Sequence, residues 1–306
     1  MSSDHQVIIE NLNEIWERQR GLNRLRISQA YEILNQLAPS LQLAGSATEA
    51  AGIAAACFRE SELLRKFSSR DRINTCRRLS EMLSAFGLNP DELLFPLPET
   101  QNENRIAYVG NRYSEEAWRI FSSHFPGAGP HIYNSFADMC GDTASGITDA
   151  CIIPVENTSD GKLLSFYSLI ERHDLKIAAL CDITNEDDTK RTRYALLRRY
   201  ICRPEGDKAG GEDRSVEPYH DIYFEFSVSP SPGITLDEIL HTTVLCGLKI
   251  YRVDSVPLSY NESSFIFHIV LLGSIEDIVT YVVFLQLSMA QYTPIGVCRL
   301  LGPAGK

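Results

Sequence analysis

Between residues 105 and 183 the chain alternates strand-like and helix-like stretches, and that alternation restricts the fold more than any other feature. RIAYVG (105–110), HIYNS (131–135), DACIIPVEN (149–157) and LKIAALCDI (175–183) read as strands. SEEAWRIFSSHF and LLSFYSLIERHD read as helices between them, and FADMCGDTASG as a helix or turn. The apolar run Cys151-Ile152-Ile153-Pro154-Val155 suits a strand buried on both faces. Strands separated by helices predict an α/β layer built on a mostly parallel sheet.

A second ordered pattern follows. DIYFEFSV, LDEILHTTVLCG, LKIYRVDSV, SSFIFHIVLLG, IEDIVTYVVFLQLSM and PIGVCRLLG give β-α-β-β-α-β over residues 219–302, the ferredoxin-like order. Such a sheet covers one face with helices and leaves the other for a ligand or partner, so a dimer is expected. Residues 5–92 read as helix throughout. Ile8, Ile9, Leu12, Ile15 and Trp16 recur at helical spacing, and later helices are expected over 27–38, 46–66 and 70–87, with Gly87 as a C-cap. LLFPLPETQNEN (93–104) and RPEGDKAGGEDRSVEP (203–218) read as linkers. The expected organisation is therefore a helical domain (1–92), an α/β lobe (105–202) and an α+β domain (219–306).

A net charge of −11 argues against wholesale binding to nucleic acid or anionic membrane. No apolar run reaches the ~18 residues that span a bilayer, and MSSDHQVIIENLNEIWERQR has neither the basic start nor the apolar stretch of a signal peptide. The eight cysteines stand singly, without CxxC, which fits a reduced cytoplasmic setting. The histidines show no HxxxH or HExxH spacing, so neither a metal nor another cofactor is expected. Residues 59–78 hold seven Lys/Arg against three Asp/Glu. That basic stretch is either a solvated face or a surface for phosphate, and GSATEAAGIAAACFRESELLRKFSSRDRINTC (45–76) faintly resembles a cyclin-like repeat of transcription factor IIB.

CIIPVENTSDG (151–161) ends an apolar strand on polar groups, where open α/β sheets place ligands. The same residues also make a good capped turn. KRTRYALLRR admits two readings as well, a site or a solvated edge strand. Ser114-Glu115-Glu116 reads equally as an N-cap with acids in the first turn.

Four stretches in order, RIAYVGNRYSEEAW, IIPVENTSDG, DLKIAALCDI and TRYALL, resemble prephenate dehydratase, which converts prephenate to phenylpyruvate. VENTS resembles the family's Pro-x-Glu-Asn-(Ser/Thr) strand end, and TRY stands in place of Thr-Arg-Phe, with Tyr194 for Phe. The resemblance implies Thr192 and Arg193 as catalytic residues, Thr192 near the departing hydroxyl. It implies Ser114, Glu156, Asn157 and Thr158 as substrate contacts. SPGITLDEIL (231–240) and DSVP (254–257) resemble the motifs of the ACT domain that follows in that family. They imply a small aromatic effector at Gly233, Leu236, Asp254 and Ser255, and a homodimer through this domain.

The departures carry information too. DLKIAALCDIT passes through NEDDTKR straight into TRYALL, leaving no room for the family's second α/β lobe. Gly110-Asn111-Arg112-Tyr113-Ser114 is two residues shorter than the family's first loop, and Val256 replaces an arginine. A ligand-sensing or regulatory relative of the dehydratase, acting in aromatic amino-acid metabolism, is the resulting expectation. An active carbon–oxygen lyase and a transcription-related or scaffold protein built on the helical segment are the alternatives. Some relatives carry a helical chorismate mutase at this N-terminal position, for which Arg18, Arg20, Arg24 and Arg26 would supply cations.

Overall fold

The structure is a computed structural model and describes residues 3–60, 67–95, 105–125, 127–185, 189–204, 222–229, 235–257, 265–288 and 291–302. Most of both expected linkers, and Gly233, lie outside the described residues. The chain begins with α1 (Ser3–Gln42), α2 (Ala47–Glu60) and α3 (Ser69–Ala85), followed by a 3-10 turn at Pro90–Leu93. Then come β1 (Arg105–Val109), α4 (Arg112–His124), β2 (Gly129–Tyr133), α5 (Phe136–Ser145), β3 (Ala150–Asn157), β4 (Gly161–Lys162) and α6 (Leu164–Arg172). β5 (Lys176–Thr184) and β6 (Arg191–Arg198) precede β7 (Ile222–Ser229), α7 (Leu236–Leu245) and β8 (Lys249–Pro257). β9 (Phe265–Gly273), α8 (Ile275–Leu287), β10 (Gln291–Cys298) and the short β11 (Leu300–Leu301) complete the set.

One compact unit holds residues 1–93, 229–248 and 276–291. The separate early helices expected from the sequence are one continuous α1, because Gly21 is the only Gly or Pro over residues 3–38 and Pro39 falls in the last turn. Ala30, Leu34 and Leu41 of α1 are buried, as are Ala47, Ala50, Ala51 and Ala54 of α2. The alanine-rich stretch of α2 is thus core, where small side chains let helices approach closely. Ser68 and Asp71 form a capping box at the start of α3. At its end Gly87 takes a positive φ of 79°, and the Leu88 N–H reaches the Leu83 carbonyl at 2.9 Å, closing the helix as expected. Within the basic stretch, Arg72 is buried and pairs with Glu238 of α7 at 3.1 Å.

The other unit holds residues 94–228, 249–275 and 292–306 and contains the sheet. Its strand order is β2-β1-β3-β6-β5-β10-β7-β9-β8. β1 runs parallel to β2 and β3, but β6 runs antiparallel to both β3 and β5, so the sheet is mixed rather than mostly parallel. The edge-strand reading of KRTRYALLRR is overturned as well. β6 lies between β3 and β5, and Tyr194, Ala195, Leu196 and Leu197 are all buried. Its neighbours on both sides are apolar strands, and burial of its own apolar half outweighs the exposure its flanking charges favour. β10-β7-β9-β8 is the ferredoxin-like strand order, in agreement with the β-α-β-β-α-β reading.

Alternation along the strands separates two cores. Ala107, Cys151, Ile153, Val155, Leu180, Ala195 and Leu197 share one with α5 and α6 residues such as Met139 and Tyr167. Ile106, Ile152, Cys181, Ile183, Tyr194 and Leu196 share the other with Ala117 and Phe121 of α4.

The two halves of the sheet meet where β10 pairs with β5, with Gly296 opposite Ile177. A Cβ at Gly296 would stand 2.6 Å from both the Ile177 Cβ and its carbonyl oxygen. Gly296→Ala is expected to destabilise the protein by about 1–3 kcal/mol, because backbone cannot swing aside as a side-chain tip can. Urea unfolding checks this, with Gly302→Ala, where a Cβ meets nothing within 4 Å, as the neutral comparison. Equal stability of the two variants would mean that the close strand approach is unimportant.

Candidate functional site

The strand register assembles the site around Arg193. On β6, Arg193 stands opposite Glu156 of β3 and opposite Asp182 of β5, so a guanidinium lies between two carboxylates at one level of the sheet. Simple alternation would send Glu156 to the other face, with Ile152 and Pro154. A bulge between Pro154 and Glu156 returns it to the face of Val155. Arg193 is 7% exposed. Its Nε donates to Asp182 Oδ1 at 2.8 Å, Nη2 to Asp182 Oδ2 at 3.1 Å and Nη1 to the Tyr251 hydroxyl at 3.4 Å. Glu156 Oε2 stands 3.9 Å from Nη1, and the Tyr223 ring lies beneath the guanidinium with its centroid 5.8 Å away. Burial alone would lower the Arg193 pKa; hydrogen bonds and charge from Asp182, with Tyr251, outweigh it and hold the group firmly protonated.

Strands β7, β8 and β9 bring the rest. Arg252 donates from Nη1 to Glu156 Oε2 at 3.0 Å, and its Nε lies 3.1 Å from Asp254 Oδ2. That second approach lacks hydrogen-bond alignment, and both atoms are buried without a hydrogen-bond partner among the described residues. Glu225 accepts from Lys162 Nζ at 3.2 Å and from the Tyr167 hydroxyl at 3.1 Å. Lys162 also lies 3.7 Å from the Tyr167 ring centroid, 3.2 Å from His268 Nδ1 and 3.8 Å from Asp254. The His268 pKa falls to about 4, first through burial and then through the charges of Lys162 and Arg252, with Asp254 opposing. The sheet face that bears Glu225, Arg252 and His268 is therefore occupied within the chain, by the start of α6 and the end of β3.

Charge matching decides what this arrangement can hold. Lys162, Arg193 and Arg252 each face a carboxylate among Glu156, Asp182, Glu225 and Asp254. Arg191 lies 3.6 Å from Asp182, so among the described residues four cations meet four acids and the cluster carries no spare positive charge for a dianion. The cavity among Glu156, Tyr167, Arg193, Tyr223, Glu225 and Arg252 has a volume of about 20 Å³. A second recess of about 20 Å³ is lined by Glu156, Asn157, Thr158, Arg191 and Arg193. Each has room for roughly one water molecule.

Glu156, Asn157, Thr158 and Arg193, all singled out in the sequence, thus border one recess. Asn157 is committed to the following turn: its Oδ1 accepts from the N–H groups of Ser159 (2.9 Å) and Asp160 (2.6 Å). Thr158 ties the end of β3 to β6 through its N–H to the Arg191 carbonyl at 3.0 Å. Thr192 stands opposite Ile183, on the α4 side of the sheet, and so faces away from its neighbour Arg193. Ser114 is fully buried on that same side, hydrogen-bonded to Tyr194. It does not lead its helix; Asn111 is the N-cap and accepts from the Ser114 N–H at 2.9 Å. Asp254 joins the Lys162–Arg252 cluster, whereas Ser255 is exposed at the next position of β8. Leu236 opens α7, in the helical unit.

Lys162, Tyr167, Asp182, Tyr223, Glu225, Tyr251, Arg252 and His268 went unnoticed in the sequence. Two of them left a trace there. Glu225 interrupts FEF and Asp182 interrupts ALCDI, each an acid inside a strand whose neighbours are buried, which calls for a buried cation.

No protein-family model and no curated protein matches the chain. Among solved structures, prephenate dehydratase from Streptococcus mutans is similar with a TM-score of 0.50 and 18% identity, over 64% of this chain and 98% of that one. GqqA, described as a novel type of quorum-quenching acylase, gives 0.47 and 21%, over 65% and 96%. Prephenate dehydratase from Arthrobacter aurescens in complex with L-Phe gives 0.43 and 14%, over 64% and 90%. The Streptococcus likeness shows the fold: a mixed α/β protein of prephenate dehydratase type, here with a helical N-terminal region. A shared fold leaves the activity open.

Proposed function

We propose that this chain is a relative of prephenate dehydratase in aromatic amino-acid metabolism that has lost turnover and serves as a ligand-sensing or regulatory protein. The observation that carries this reading is the enclosure of Arg193 by Asp182, Glu156, Tyr223 and Tyr251. Dehydration and decarboxylation of prephenate need cations for two carboxylates and a proton donor beside the leaving hydroxyl, in one pocket. Here the cations are already matched, and Thr192 and Arg193 face opposite sides of β6. The direct passage from β5 to β6, with six residues between Thr184 and Arg191, supports the absence of a second lobe that would close a cleft. The ferredoxin-like order, DSVP and SPGITLDEIL support an ACT-like effector role for the C-terminal elements.

The test is incubation of the purified protein with prephenate while phenylpyruvate is followed, with Thr192→Ala beside it. No phenylpyruvate above the uncatalysed rate is expected from either. Turnover that disappears in Thr192→Ala would replace this reading with that of an active lyase. Calorimetric titration with phenylalanine and tyrosine then tests the sensing role; heat of binding from neither would leave no ground for it.

A further inference from the structure

The N-terminal half of α1 presents an apolar stripe. Leu12, Ile15, Trp16, Leu22 and Leu25 are 57%, 60%, 67%, 51% and 56% exposed. α1 has 40 residues and extends ~60 Å, whereas α2 with 14 and α3 with 17 extend only ~21 and ~26 Å. The first buried residue described on α1 is Ala30, so residues 11–29 carry a helix of five turns with no core of their own. A helix so placed is marginal in water, and Gly21 in its middle weakens it further. Tertiary or intermolecular packing of the apolar stripe would supply the missing stability.

The charges name the partner. In the sequence, positions 4, 10, 14 and 17 are acidic and the stretch up to 17 has no Lys or Arg. Arg18, Arg20, Arg24 and Arg26 follow, with no acid among them. The helix dipole favours acids only in the first turn, so it does not account for Glu14 and Glu17. Such a segment is complementary to itself when turned end for end: the acidic half of one copy meets the basic half of the other. It is self-repelling when parallel. The apolar residues spread to both sides of the same midpoint, and Gly21, around which a Cβ would meet nothing within 4 Å, leaves space for a Trp16 from across the crossing. Within one copy, Arg18–Glu14 (3.0 Å) and Arg20–Glu17 (3.5 Å) are exposed pairs that contribute little and can exchange partners.

We propose that two copies of this chain associate through antiparallel pairing of their α1 helices, crossing near residues 17–19. The contact is isologous, as a two-fold dimer requires, and it does not use the ferredoxin-like sheet. Sedimentation equilibrium of the full chain should give a dimer. Ile15→Glu combined with Leu22→Glu should weaken it by a factor of about 100 or more, since two charges would enter the apolar seam. Both positions are exposed, so the fold should be unaffected.

Two charge variants make the test specific. Glu10, Glu14 and Glu17 changed together to Arg, and Arg18, Arg20, Arg24 and Arg26 changed together to Glu, should each be monomeric alone and should dimerise when mixed. For orientation, Gln19→Cys should cross-link between copies under oxidation beyond the wild-type background, and Asn11→Cys should not. A monomeric wild-type chain would overturn the proposal. So would a dimer that survives the seam variant, or efficient cross-linking through position 11.

Discussion

Replacing Arg193 with alanine is expected to cost about 3 kcal/mol of folding stability, the lower end of the range of about 3–5 kcal/mol for breaking a buried ion pair. The variant leaves Asp182 and Glu156 on either side of an empty position. Each carboxylate keeps another cation, Arg191 at 3.6 Å for Asp182 and the hydrogen-bonded Arg252 at 3.0 Å for Glu156, which is why the lower end applies. Urea unfolding followed by circular dichroism measures the loss. Arg193→Met with Asp182→Leu should recover most of it, because the penalty belongs to the unpaired charge rather than to the absent pair. A loss below about 1 kcal/mol for Arg193→Ala would mean a solvated guanidinium, free to bind an anion, and would reopen the catalytic reading.

The second large effect is on pH dependence. His268 is 5% exposed, and its pKa drops from 6.5 to about 4 on folding. Between those values the unfolded chain binds a proton that the folded chain refuses. Stability from this group is therefore complete above pH 6.5 and is lost as pH falls toward 4. The size is about 3 kcal/mol at 1.36 kcal/mol per unit. The groups that face the ring are Lys162, Arg252, Asp254 and, 3.5 Å from Nε2, Glu171. Denaturation midpoints taken from pH 4 to 7 should fall steeply for the wild type and less so for His268→Asn. Parallel profiles would mean that His268 accepts a proton in the folded state as readily as in water.

How much of the site could be read in advance depends on what each residue needed. Glu156 and Arg193 were singled out by motif, and the register does bring them together. Their pairing with each other, and with Asp182, was not readable, because a cross-strand partner depends on which strand comes alongside and in what register. KRTRYALLRR reads as a solvated edge by its flanking charges, yet its apolar half lies between β3 and β5. Glu225 lies 63 residues from Lys162 and Arg252 96 residues from Glu156 in the chain, and no local pattern links them. Ser114 looked like a cap because serine before two acids usually is one. Asn111, three residues earlier, makes that bond instead.

By itself the sequence determined the elements. Period-two and helical patterns, continuous apolar runs and turn residues are local properties, and they yield the α/β alternation, the β-α-β-β-α-β order and the helical N-terminal region. They also place a self-complementary charge pattern on α1. Only the tertiary structure decided the placement of β6, the bulge that turns Glu156 toward Arg193, and the near-complete neutralisation of the cationic cluster. Those outcomes depend on long-range register. One extra residue in β3 reverses the side on which a carboxylate emerges, and a buried cation binds substrate only if no carboxylate of its own chain reaches it first.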